Sequence, residues 1–131
     1  MKKAILISFI FCPFFSFGQT LYNPQDLYDS PGGLFDKDSL RDIYVNFQDP
    51  NYHNVLVNSF FTSPSSRIPA TITINGVSLD SAGVRYKGNS TFCLPNDNGN
   101  PKVPFNIDMN YWISGQKLLD YKKIKLANAW M

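Results

Sequence analysis

Ile68-Pro69-Ala70-Thr71-Ile72-Thr73-Ile74-Asn75-Gly76-Val77-Ser78-Leu79 is the stretch that decides the fold. Ile68, Ala70, Ile72 and Ile74 fall on one side of an extended chain while Thr71, Thr73 and Asn75 fall on the other, which is the period of a half-buried strand. Asn75 and Gly76 both tolerate positive φ, so they predict a tight hairpin, with Val77 and Leu79 opening the return strand. After a short interruption at Asp80-Ser81, a further strand runs through Val84-Arg85-Tyr86-Lys87 and sets Val84 and Tyr86 against Arg85 and Lys87.

The same period recurs on both sides of this hairpin. Upstream, Ile43, Val45 and Phe47 alternate with Tyr44, Asn46 and Gln48. Asp49-Pro50 then offers an N-cap followed by a proline at the first helical position, and Tyr52, Val55, Leu56, Ser59 and Phe60 follow at helical spacing. A helix is predicted to run to Phe61 or Thr62 and to stop before Pro64. Downstream, Phe105, Ile107 and Met109 alternate with Asn106, Asp108 and Asn110, and Ile124 and Leu126 alternate with Lys123 and Lys125. Between them, Leu94-Pro95-Asn96-Asp97-Asn98-Gly99-Asn100-Pro101 reads as a solvated loop. The sum is an α+β arrangement, a mainly antiparallel sheet with one helix.

The N-terminus carries a different signal. Met1-Lys2-Lys3 is a short basic region, the segment from Ala4 to Phe17 is apolar, and Ser16-Phe17-Gly18 offers small residues for cleavage before Gln19. Residues 1–18 are therefore expected to be a secretory signal peptide and the protein to be exported, secreted or held at the cell surface. The apolar run is short for a membrane span, which needs about 20 residues, and contains Pro13. No stable span is expected after cleavage. Phe11 before Cys12 argues against a lipidated cysteine. Residues 19–33, rich in Asn, Pro, Asp, Ser and Gly, read as a linker, and residues 34–131 as one small domain.

Loss of the leader removes Lys2, Lys3 and Cys12, so the remaining cations balance the aspartates and Cys93 has no partner for an internal disulfide. Bulk charge gives no reason to expect nucleic acid or an anionic membrane as a partner. The absence of glutamate suits strands and turns better than long surface helices. The apolar run still in progress at Met131 gives the expectation of an incomplete domain.

One segment looks like more than scaffolding. Arg85 and Lys87 share a strand face, Gly88 lets the backbone turn, and Asn89 and Ser90 follow, so two cations, an amide and a hydroxyl can converge. Such a donor-rich cluster suits an anion such as phosphate, although alternate basic residues can equally be the solvent face of a strand.

Arg85-Tyr86-Lys87-Gly88-Asn89-Ser90, with Ile68 to Gly76 and Gly83-Val84 before it, resembles the R-x-K-G-N-S region of the spore coat protein CotH kinase-like family. Lys102-Val103-Pro104-Phe105-Asn106-Ile107-Asp108 is similar to the family's following lysine-plus-strand segment, and Gly115 to Leu118 with Lys123 to Asn128 to the next strand. The resemblance covers about Leu34 onwards. It implies the N-terminal lobe of an atypical protein kinase-like fold, ATP and a divalent metal (Mg or Mn) as cofactors, and a serine-rich protein acceptor. Under it, Arg85, Lys87 and Lys102 are the phosphate-side candidates and Asn89 and Ser90 shape the loop, while the catalytic acids are expected beyond Met131. An exported β-rich binding or adhesion module without catalysis is the alternative. Export places a kinase-like lobe where ATP is scarce, and so keeps that alternative open.

Other candidates are weaker. Asp36-x-Asp38 lacks the third acid and the glycine of a calcium loop and reads as a turn. Asp97-Asn98-Gly99-Asn100 reads as a loop, and His53, the single histidine, as an exposed structural residue. No Walker A motif occurs, and Asn89-Ser90-Thr91 also fits a glycosylation acceptor.

Overall fold

The computed structural model describes Asp26 and residues 30–128. The expected signal peptide, and the linker apart from Asp26 and residues 30–33, lie outside the described residues. The chain divides into two units, Met1–Asp36 and Lys37–Met131. In the first, Gly33 N–H bonds Ser30 O, Asp36 N–H bonds Gly33 O, and the Asp36 carboxylate accepts from Gly32 N–H. Asp36 thus closes a turn.

The second unit holds β1 (Ile43–Phe47), α1 (Tyr52–Thr62), β2 (Ile68–Ile74), β3 (Val77–Tyr86), α2 (Ser90–Asp97), β4 (Phe105–Asp108) and β5 (Lys123–Leu126). Each strand pairs antiparallel with its neighbour in sequence, in the order β1-β2-β3-β4-β5. Among the described residues the second unit is α+β, a five-stranded antiparallel sheet with two helices.

Asn75 and Gly76 take φ of 53° and 77° and turn β2 into β3 with Ile74 paired to Val77. The Asp80-Ser81 interruption is a β-bulge rather than a strand break. Ala70 pairs with Ala82 and Ile72 with Leu79, so Asp80 and Ser81 together oppose Thr71, whose hydroxyl donates to the Asp80 carboxylate at 2.7 Å. Ser81 adopts φ 61° to absorb the extra residue. Pro69 is tolerated in β2 because it lies one place past the last β1 pair, Phe47 with Ala70, where β1 has no ladder bond to lose.

Helix α1 starts two residues later than the Asp49-Pro50 pair suggests. Asp49 accepts from Asn51 N–H through its carboxylate and from Tyr52 N–H through its backbone oxygen, which makes a turn of residues 49–52 before the helix. The larger departure is α2, which occupies half of the segment expected to be loop. Pro95 lies inside it and cannot donate to the carbonyl of Thr91. Asn128 Nδ2 takes that carbonyl at 2.9 Å, and the buried Phe92 and Pro95 side chains hold the helix on the sheet.

The two faces of the sheet differ. On one, Ala70, Ile72, Ile74, Val84, Tyr86, Ile107 and Ile124 are buried, and Leu56 of α1, Phe92 of α2 and Val103 cluster with Tyr86. On the other, Arg67 spreads its guanidinium over β3 and β4, donating to the Gly83 and Asn106 carbonyls at 3.1 and 2.9 Å and to Asn106 Oδ1 at 3.2 Å. Tyr111 lies over it, its ring centroid 5.4 Å from the guanidinium carbon. Beside them the buried Asp108 pairs with Lys123 at 3.1 Å.

Gly83 is the residue on which this cover rests. A Cβ there would stand 2.7 Å from Tyr111 Cβ and 2.9 Å from Arg67 Cδ. Gly83→Ala is therefore expected to lose about 1–3 kcal/mol, as overpacked sites do, seen as a lower midpoint in urea. A wild-type midpoint would show that Tyr111 and Arg67 do not close tightly on this strand.

Candidate functional site

The Arg85–Ser90 segment forms a strand end, a left-handed glycine and a helix N-terminus in succession. Lys87 N–H extends the ladder by donating to Pro104 O at 3.1 Å. Gly88 follows at φ 80°, and Thr91 Oγ1 occupies the space where its Cβ would stand, so both backbone and packing demand glycine here. Asn89 is the N-cap of α2 without using its side chain to cap, and Ser90 is the first helical residue. Helices leave their first N–H groups without internal acceptors and carry partial positive charge there.

Lys102 is brought to the same end. Asn128 Nδ2 donates to Thr91 O in the first turn of α2 and to Lys102 O at 2.8 Å, joining the two segments. Four of the five candidates, Lys87, Asn89, Ser90 and Lys102, thus lie on connected pieces of backbone, and Lys102, Asn89 and Ser90 are exposed.

Arg85 is engaged elsewhere. It shares the Lys87 face, but its guanidinium donates to Pro64 O at 2.8 Å, holding the segment between α1 and β2. Burial, and then repulsion from Arg85, pulls the Arg67 guanidinium below its ordinary pKa, opposed by Asp108 and Tyr111. The two arginines are neighbours, and both are tied to backbone carbonyls.

A second site lies on the helix-bearing side of the sheet. A cavity of about 340 Å³ is lined by Val45 and Phe47 of β1, Tyr52 and His53 of α1, Tyr86, Phe105, and Asn96, Gly99, Asn100 and Pro101 at the end of α2 and beyond. Phe47 and Tyr52 stack at 4.2 Å with their planes 7° apart. Phe105 lies 5.2 Å from Tyr86 and 6.2 Å from Phe47. His53 Nδ1 and the Tyr86 hydroxyl are 2.7 Å apart. The phenol donates when His53 carries its hydrogen on Nε2 and accepts when it carries it on Nδ1. Burial, with a smaller push from Tyr52, raises the Tyr86 pKa well above that of an ordinary phenol, so the hydroxyl keeps its hydrogen.

Sequence reasoning missed this pocket. Phe47, Tyr86 and Phe105 each read as inward-facing, but that they meet at one end of the sheet follows only from the pairings of Phe47 with Ala70 and Tyr86 with Phe105. His53 is exposed, as its sequence reading has it, yet bonded to a buried ring. Asn96 enters the site on α2, and Asn100 follows beyond its end, where its N–H donates to Pro95 O at 2.8 Å.

Compared with protein-family models, curated proteins and solved structures, the chain finds no match. Among the described residues no three His, Cys, Asp or Glu side chains gather so as to hold a metal ion. No helix among them is long and apolar enough to cross a membrane.

The raised Tyr86 pKa has a stability consequence at high pH. The unfolded phenol deprotonates at about pH 10, before the folded one does. Stability therefore falls as pH rises past that value. In urea titrations from about pH 9 to about pH 11, Tyr86→Phe is expected to show a shallower decline than wild type. Equal slopes would show that Tyr86 titrates like an ordinary tyrosine.

Proposed function

We propose that this chain is the N-terminal part of an exported CotH-like kinase, and that Lys87, Lys102 and the turn through Gly88, Asn89 and Ser90 bind the phosphates of ATP. The observation that carries this reading is the meeting of a strand-end lysine, a left-handed glycine and the N-terminus of α2, with the Lys102 segment fastened beside them by Asn128. Backbone N–H groups at such a terminus face a bound anion, and two ammonium groups offset its charge. ATP supplies the phosphoryl group for transfer to a serine of a protein acceptor. Arg85, on the same strand face as Lys87, anchors the α1–β2 segment through Pro64 O.

The donor set described here fits phosphate. It does not fit the divalent metal, so no metal-dependent step is assigned to these residues. The aromatic pocket supports a second reading, an exported β-rich binding or adhesion module without catalysis, since rings and neutral hydrogen-bonding side chains together suit a small ligand.

Calorimetric titration with ATP separates the two. Lys87→Ala and Lys102→Ala are each expected to weaken ATP about tenfold, in line with loss of a charge-assisted contact worth about 1.5 kcal/mol. Equal ATP affinity in wild type and both variants would remove these lysines from the site. No ATP binding at all would leave the binding module as the reading.

A further inference from the structure

The pocket between β1, α1 and the end of α2 is walled by rings and rimmed by neutral hydrogen-bonding groups. Phe47, Tyr52 and Phe105 are half-buried, so each keeps part of its surface available, while Tyr86 is 2% exposed and closes the floor. Asn96 and Asn100 carry amides with both donors and acceptors, and His53 and the Tyr86 hydroxyl add a fixed polar pair. The volume of about 340 Å³ lies at the small end of small-molecule sites.

From this lining we infer that the pocket binds a neutral sugar, as one pyranose unit or a short saccharide. A pyranose has one face of C–H bonds and a perimeter of hydroxyls. The C–H face packs on aromatic rings, whose faces are electron-rich and whose burial is favourable. The hydroxyls need partners that donate and accept at once, which side-chain amides, imidazole and phenol provide. A purely aliphatic ligand would cover the Asn96 amide, Asn100 Nδ2 and His53 Nε2 without offering them a hydrogen bond, at a cost of about 1–3 kcal/mol for each group desolvated. A phosphorylated or carboxylated ligand would meet no lysine or arginine in the lining. The inference names a ligand class for the binding-module reading; the pocket shares no lining residue with the phosphate turn and touches it where Asn100 Oδ1 accepts from Lys102 N–H at 2.8 Å.

The rigidity of the rings strengthens the case. Phe47 and Tyr52 back one another in a parallel stack, and Tyr86 is packed against Phe92 at 5.0 Å as well as against Phe105. Little side-chain freedom remains to be lost on binding, which is the condition under which weak contacts add up to measurable affinity.

Saturation-transfer NMR on the whole chain tests this with the methyl glycosides of glucose, galactose, mannose and N-acetylglucosamine, and with adenosine and inorganic phosphate as competitors. Transfer to the ring C–H protons of at least one glycoside is expected, undiminished by inorganic phosphate. Tyr52→Ala is expected to weaken that glycoside about tenfold, as loss of an aromatic anchor does. Asn96→Ala, at the rim and bonded through its side chain only to the adjacent Asp97, should weaken it severalfold without lowering the melting temperature, and Lys125→Ala should leave it unchanged. Absence of transfer to every glycoside, binding of adenosine in preference to all of them, or equal affinity in wild type, Tyr52→Ala and Asn96→Ala would overturn the inference. An ATP titration that fails while a glycoside binds counts against the phosphate turn alone.

Discussion

A single amide, that of Asn128, connects parts of this molecule that sequence keeps far apart. Its Nδ2 reaches the carbonyls of Thr91 and Lys102, and the first of these is the acceptor that Pro95 cannot serve. Without that partner the exposed Thr91 carbonyl would be left to solvent, since Pro95 has no N–H to offer it. With it, residues 90–97 form a helix, Phe92 reaches the core, and Asn96 and Asn100 come to the mouth of the aromatic cavity. The same amide fixes Lys102 beside the first turn of α2. One side chain that belongs to neither candidate site thus ties together the α2 and Lys102 segments.

The sheet separates two kinds of chemistry by simple alternation. Inward residues of β1, β3 and β4 supply Phe47, Tyr86 and Phe105 to an aromatic layer under the helices. Outward residues of the same strands supply Arg85, Lys87, Asn106 and Asp108 to the opposite face, where Arg67 and Tyr111 cover the backbone at Gly83. A register slip of one residue would exchange these sets. The bulge at Asp80-Ser81 matters for that reason: it restores inward placement to Ala82, Val84 and Tyr86 after the hairpin.

The strands were legible because period two survives in short windows, and the Asn75-Gly76 turn because few residue pairs tolerate that backbone. The bulge left a trace, the break in alternation at Asp80-Ser81, that reads as a gap until the pairing is known. Helix α2 was not legible: Leu94 to Pro101 is full of residues that favour turns, and the compensating donor lies 37 residues beyond Thr91. At the candidate phosphate turn, the types of residue were readable, whereas the commitment of Arg85 to Pro64 was not, since a backbone carbonyl leaves no mark in the sequence. The aromatic cavity was hidden for a similar reason. It is assembled from positions that look like ordinary core in each strand taken alone.

Among the described residues β5 stands at the edge of the sheet, paired along one side with β4. An edge strand is a template on which another extended chain can grow, and the short run Lys123–Leu126 would be such a template if it were apolar throughout. Lys123 and Lys125 instead stand exposed on alternate positions, with Lys123 drawn toward Asp108. Two copies meeting edge to edge would bring these ammonium groups together. The lysines that in sequence mark only the wet side of a strand thus also discourage the sheet from continuing into a neighbouring molecule, a safeguard against fibrous self-association written into four residues.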